Sequence, residues 1–120
     1  EQDAIKLFSL LDLNDFFSSL PKGFDTALEP TGKRLSSSTV QKLLIARALL
    51  NSPTMLLLDE PLKLFAEDQK QVLQDYLFGL QEVTILFTTN DESIAKKCDI
   101  VISMVNGQIK SITYPRSLKA

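Results

Sequence analysis

Apolar residues change their spacing several times along this chain, and each change marks an element. In "DAIKLFSLL", residues 3 to 11, Ala4, Ile5, Phe8 and Leu11 fall at helical intervals, with Asp3 as a candidate cap. A second short helix is predicted over "NDFFSSL", capped by Asn14. Pro21 and Gly23 then break the pattern, and "PKGFDTALEPTGKR" reads as loop. The next helix starts at a serine cluster, where Ser38 and Gln41 have the spacing of a capping box. Between Leu43 and Leu50 only Arg47 is charged, so this helix is expected to be buried on most sides. Pro53 cannot continue it and disfavours helix at Ser52.

The second half alternates differently. "TMLLLDE" is a short apolar run bounded by turn residues, the pattern of a buried strand. Residues 67 to 80 predict an amphipathic helix with Val72, Leu73, Tyr76, Leu77 and Leu80 on one face and Glu67, Lys70, Gln71, Gln74 and Asp75 elsewhere. "VTILFTT", residues 83 to 89, predicts a second buried strand, and "DESIAKKC" a short helix capped by Asp91. "DIVISMV" predicts a third strand, Asn106-Gly107 a tight hairpin turn, and the alternating "QIKSIT" an edge strand before a frayed tail. Buried strands alternating with helices predict an α/β fold: a mostly parallel sheet with flanking helices, ending in a β-hairpin.

Composition narrows the chemistry. The chain has 120 residues, 44% of them hydrophobic, enough for a core of one small domain or part of a larger one. A net charge of −2 leaves no basic footprint for nucleic acid. There is no histidine and one cysteine, Cys98, which excludes His/Cys zinc sites and catalysis by a Ser-His or Cys-His pair. A single thiol allows no internal disulfide. No apolar run approaches the roughly 20 residues that span a bilayer. The sequence opens on Glu1 with no signal-peptide pattern, and the expectation is a soluble fragment of a longer protein.

Two clusters can carry chemistry. Asp59 and Glu60 leave the carboxyl end of a predicted parallel strand, where ligands bind in open α/β sheets. Asp59 suits Mg²⁺ held through water, and Glu60 suits a base for an attacking water. The plainer alternative is a solvated turn ending a strand. Ser36, Ser37, Ser38 and Thr39 precede a helix, where N–H groups and hydroxyls can meet a phosphate; simple capping is the plainer alternative there.

The order of these pieces resembles the nucleotide-binding domain of ABC transporters, from about residue 4 to 112. Leu35-Ser36-Ser37-Ser38-Thr39 followed by "VQKLLIARALL" is similar to the family's L-S-G-G-Q signature and its helix. Pro53, "MLLL", Asp59 and Glu60 match the Walker B strand. "LPKGFDTALEPTGKRLS" looks like the exporter branch, and "ILFTTN" with "CDIVISMVNGQI" resembles the switch region and final hairpin. The resemblance implies a partial P-loop NTPase fold, with residues 1–52 belonging to the helical subdomain and signature helix and 53–120 to the core subdomain. It implies ATP and Mg²⁺ in the intact parent, with Asp59 at the metal, Glu60 catalytic and Asn90 at the switch position. Ser36, Ser37, Ser38 and Thr39 would cover the ATP held by a second nucleotide-binding domain. A transmembrane domain is the other implied partner, and the cytoplasmic face of the cell membrane the implied location.

Departures from the family pattern matter as much. Ser37 and Ser38 replace both signature glycines, Thr39 the glutamine and Asn90 the switch histidine. Lys63-Leu64-Phe65-Ala66 replaces the D-loop S-A-L-D, leaving an expected exposed Leu-Phe pair, and Glu29-Pro30 replaces G-E. No G-x-x-G-x-G-K-[ST] phosphate loop occurs in these 120 residues. The expected protein is therefore the C-terminal part of an exporter's ATP-binding domain, catalytically impaired and unable to bind ATP alone. A regulatory, dimerising domain without turnover and a soluble ABC-type ATPase are the alternatives. An unpaired strand edge is expected to make the fragment oligomeric.

Overall fold

The computed structural model describes residues 2–119 and divides the chain into two compact units, one ending at Phe87 and one starting at Thr88. The first unit opens with α1 (Gln2–Leu10) and α2 (Asn14–Ser19). The reversal between them is made by Asp12 at φ 55°, flanked by buried Leu11 and Leu13. Asn14 does not cap α2, which Leu13 precedes without a side-chain cap. The reversal leaves no extended residue from which to cap, and Asn14 Nδ2 instead donates to Ser9 Oγ at 2.8 Å.

The helix expected at the serines is α3 (Ser37–Leu50). It starts two residues before the predicted capping box: Ser36, in extended backbone, accepts the Thr39 N–H at 3.1 Å. Ser38, within the first helical turn, is not the cap. Only Lys42, Ile45 and Ala46 of α3 are buried, whereas Leu44 and Leu50 are exposed, so the helix packs by one stripe rather than on most sides.

After α3 come β1 (Met55–Leu58), α4 (Glu67–Gly79) and β2 (Thr84–Phe87). β1 and β2 pair in parallel, with Leu56 opposite Ile85 and Leu57 opposite Leu86. The crossover through α4 is the expected βαβ unit. The pair is not buried on both faces. Leu56 is in the core, while Met55, Leu57 and Leu86 project to solvent, Leu57 at 68% exposure. Successive strand residues face opposite ways, and only one face is packed.

On α4, Leu73 and Leu77 are buried as predicted, but Val72 is exposed and Gln74 is buried. The apolar stripe is rotated by about one residue, an offset that helical periodicity tolerates because 3.6 residues per turn leaves stripe edges loosely defined. The unit's core is Leu7, Leu11, Leu13, Ile45, Ala46, Leu56, Leu62, Phe65, Leu73 and Leu77.

The second unit contains α5 (Glu92–Ala95), β3 (Val101–Val105) and β4 (Gln108–Thr113). Asp91 caps α5 as predicted, its Oδ1 accepting the Ser93 N–H at 2.8 Å. β3 and β4 form an antiparallel hairpin in their own sheet, separate from β1 and β2. Asn106 and Gly107, at φ 50° and 74°, make the predicted turn. Of β3 only Val101 is even half-covered, and β4 is exposed throughout. The expected frayed tail is a 3-10 turn over Pro115–Lys119; Ala120 lies outside the described residues.

Candidate functional site

The strand-end carboxylates sit where the sequence places them. Asp59 and Glu60 follow β1 directly, at the carboxyl end of the parallel pair. Glu60 turns the chain sharply, at φ 41°, a left-handed conformation that a non-glycine residue adopts only when its surroundings hold it. The holding groups are evident. Buried Pro61 and Leu62 follow at once, and the Lys63 N–H closes the turn on the Glu60 carbonyl at 3.1 Å. Phe65 anchors the next step at 6% exposure and donates its N–H to the Leu62 carbonyl at 3.2 Å. The expected exposed Leu-Phe pair is thus half right: Leu64 is exposed, but Phe65 belongs to the core.

The turn carries an ion pair that sequence reading missed. Lys63 Nζ lies 2.9 Å from Glu60 Oε2. The hydrogen bond to Glu60, and then its charge, push the Lys63 ammonium above its ordinary value; Asp59 adds a smaller push and slight desolvation opposes them. The signal for this pair was the i, i+3 spacing of Glu60 and Lys63.

Ser36 to Thr39 form a self-contained helix start. Ser36 Oγ accepts the Thr39 N–H and lies 2.8 Å from Thr39 Oγ1, and its carbonyl takes the Val40 N–H at 3.0 Å. The N–H groups of Ser37 and Ser38 stand in the first turn of α3. An oxygen-rich anion suits such a helix start, where unbonded N–H groups and the helix dipole add. Gly32 sets the approach: at φ 63° it makes a turn in which an added Cβ would lie 3.2 Å from Val40 Cγ2. The side-chain hydrogen bonds that join Ser36 and Thr39 stay within their own turn.

A second missed group lies beneath α3. Lys42 is nearly buried, with Nζ 3.8 Å from Asp12 Oδ2 and 5.8 Å from the centre of the Phe65 ring. The same Asp12 oxygen accepts from Gln69 Nε2 at 2.9 Å. Lys42 thus links α3 to the α1–α2 reversal and the strand-end turn, and Asp12 adds α4. Asn90 lies in the second unit between β2 and α5, exposed, beside an Asp91 whose N–H bonds Thr89 Oγ1 at 3.0 Å.

Among the described residues no three His, Cys, Asp or Glu side chains converge as a metal cage. An exposed carboxylate such as Asp59 still fits Mg²⁺, which keeps most of its waters and takes one or two carboxylates plus phosphate oxygens.

A serine-headed helix followed by an apolar strand ending in two carboxylates matches the ABC transporter family model over residues 2–63, just over half of the chain. The chain belongs to the ABC transporter family. It is 38% identical to the lactococcin-G-processing and transport ATP-binding protein LagD of Lactococcus lactis, over 79% of this chain and 14% of that protein. It is 34% identical to the ABC-type transmembrane transporter verA of Clonostachys rogersoniana, over 91% of this chain and 9% of that protein. A putative multidrug export ATP-binding/permease protein of Staphylococcus aureus is 29% identical across the full chain and 21% of its own length. The chain thus spans about a tenth to a fifth of the relatives it matches. The fold is similar to part of a bacterial Atm1-family ABC exporter solved with ATP bound, at a TM-score of 0.79 and 23% identity over 98% of this chain and 21% of that one. Among the described residues no helix is long and apolar enough to cross a membrane.

Proposed function

We propose that this ABC family chain is the C-terminal part of an exporter's ATP-binding domain, with residues 1–52 in the helical subdomain and 53–120 in the core subdomain. The observation that carries the reading is the acidic pair at the carboxyl end of β1, on a turn anchored by Pro61, Leu62 and Phe65. Asp59 would hold Mg²⁺ through water. Glu60 would receive the proton of an attacking water, and Asn90 would stand at the family's switch position. ATP supplies the scissile anhydride when bound; this chain's part is to orient water and metal around it. Ser37 and Ser38 would offer N–H groups, and Ser36 and Thr39 their hydroxyl-capped turn, to the nucleotide of a second ATP-binding domain.

Further chain carrying a phosphate loop is part of this reading, and so are a transmembrane domain and the cytoplasmic membrane face. The open side of the β1–β2 pair, lined by Met55, Leu57 and Leu86, supports it, since exposed apolar strand faces and edges recruit cover. Alone, the chain is expected to bind no ATP and to self-associate. A domain that dimerises and regulates without turnover is the second reading, favoured by serines for glycines at the signature, Asn90 for histidine and Ala66 for the D-loop aspartate.

Fusing the chain to the phosphate-loop half of an exporter relative and titrating with ATP tests the assignment. The fusion should bind ATP more tightly with Mg²⁺ than without, and Asp59→Asn should remove most of that difference. A Mg²⁺ effect untouched by Asp59→Asn would refute the role given to Asp59.

A further inference from the structure

We propose that Lys63 is a built-in restraint on Glu60, holding its carboxylate back along its own turn and away from the water it would otherwise activate. This rests on the reading of Glu60 as the base, and identifies Lys63 as a positioning residue that opposes it.

Three observations converge. The pair is short, 2.9 Å between Nζ and Oε2. Charge-assisted bonds of this length are the stronger kind. Exposed pairs are usually weak because two long side chains must be ordered to make them. Here part of that ordering is done by the backbone: Glu60 is held at φ 41°, the Lys63 N–H is bonded to the Glu60 carbonyl, and buried Leu62 and Phe65 fix the turn on both sides of Lys63. The raised ammonium of Lys63, caused first by that hydrogen bond, agrees with a partner that is engaged.

The chemical consequence concerns Oε2. A general base must point a lone pair at its water within about 2.6–3.2 Å. The lone pair of Oε2 that accepts from the ammonium is directed inward, along the turn, and the pair fixes the orientation of the whole carboxylate, Oε1 included. Glu60 is then a structural anion in the resting turn, and activity requires the pair to open. A serine at position 63, as in the family's D-loop pattern, has no ammonium and cannot reach back in this way.

Two experiments test the restraint. In the 120-residue chain, Lys63 should be acylated by an amine-reactive ester several times more slowly than exposed Lys33, and Glu60→Gln should remove the difference. Equal rates in the unaltered chain would overturn the proposal. In an exporter relative that turns over ATP, lysine is placed three residues after the strand-end glutamate, with methionine and alanine at the same position as uncharged controls. Lysine should lower kcat at least about tenfold beyond methionine, with the KM for ATP little changed. Equal effects of lysine and methionine would sink the restraint while leaving Glu60's role intact. Glutamine at the glutamate itself tests that role separately: unchanged turnover there overturns both.

Discussion

In the unit up to Phe87, helices bring a set of leucines together with Ile45, Leu56 and Phe65, and three of these side chains are essentially invisible to solvent. In the unit from Thr88, β3 and β4 pair over their whole length yet bury almost nothing, with Ile102, Met104, Ile109 and Ile112 all exposed. The first unit is held by burial and the hairpin by local chemistry: an Asn-Gly turn, a ladder of backbone bonds and the Arg116–Asp99 ion pair at 3.2 Å. The strand-end carboxylates and the serine-headed start of α3 belong to the first unit, whereas Asn90 belongs to the other.

The largest test of that contrast is a cavity. Leu73→Ala, at 1% exposure, should cost about 2–5 kcal/mol and lower the midpoint of urea unfolding, whereas Ile109→Ala on β4 should change it by less than about 0.5 kcal/mol. Comparable losses at both positions would remove the distinction. Gly107→Ala sharpens the other side: a Cβ at φ 74° should cost about 1–2 kcal/mol, and the loss should appear in the cross-strand NOEs of β3 and β4, with the first unit's amide protection unchanged. Ser36→Ala should cost about 1 kcal/mol by removing the only side-chain cap on α3, seen as faster amide exchange at Thr39. The smallest effect concerns Cys98. Desolvation first, and Asp99 second, push its thiol above the ordinary value, so it should alkylate more slowly at pH 8 in the folded chain than in urea. Because the folded form favours the protonated thiol, whatever stability this contributes is present at lower pH and declines as pH rises past the unfolded value of about 8.5.

Much of this was legible in the sequence, and the reasons for the rest are physical. Element order, the parallel βαβ unit and the Asn-Gly hairpin follow from periodicity and turn chemistry, which are local. Leu73 and Leu77 were readable as core because a helix exposes its apolar stripe in the sequence. The strands were misread as doubly buried because "MLLL" and "TILF" carry apolar residues at both parities; which parity is covered depends on neighbours that no local pattern names. Asp59 and Glu60 were legible from their place after an apolar strand. Lys63 was not, because an i, i+3 pair in a turn depends on the left-handed Glu60. Lys42 was not either, because its partners Asp12 and Phe65 come from distant segments.

The most direct measurement is ATP turnover by the chain fused to the phosphate-loop half of an exporter relative, with and without Glu60→Gln. The account predicts that the substitution abolishes whatever turnover the protein has while ATP binding persists. Turnover undiminished by Glu60→Gln would contradict it.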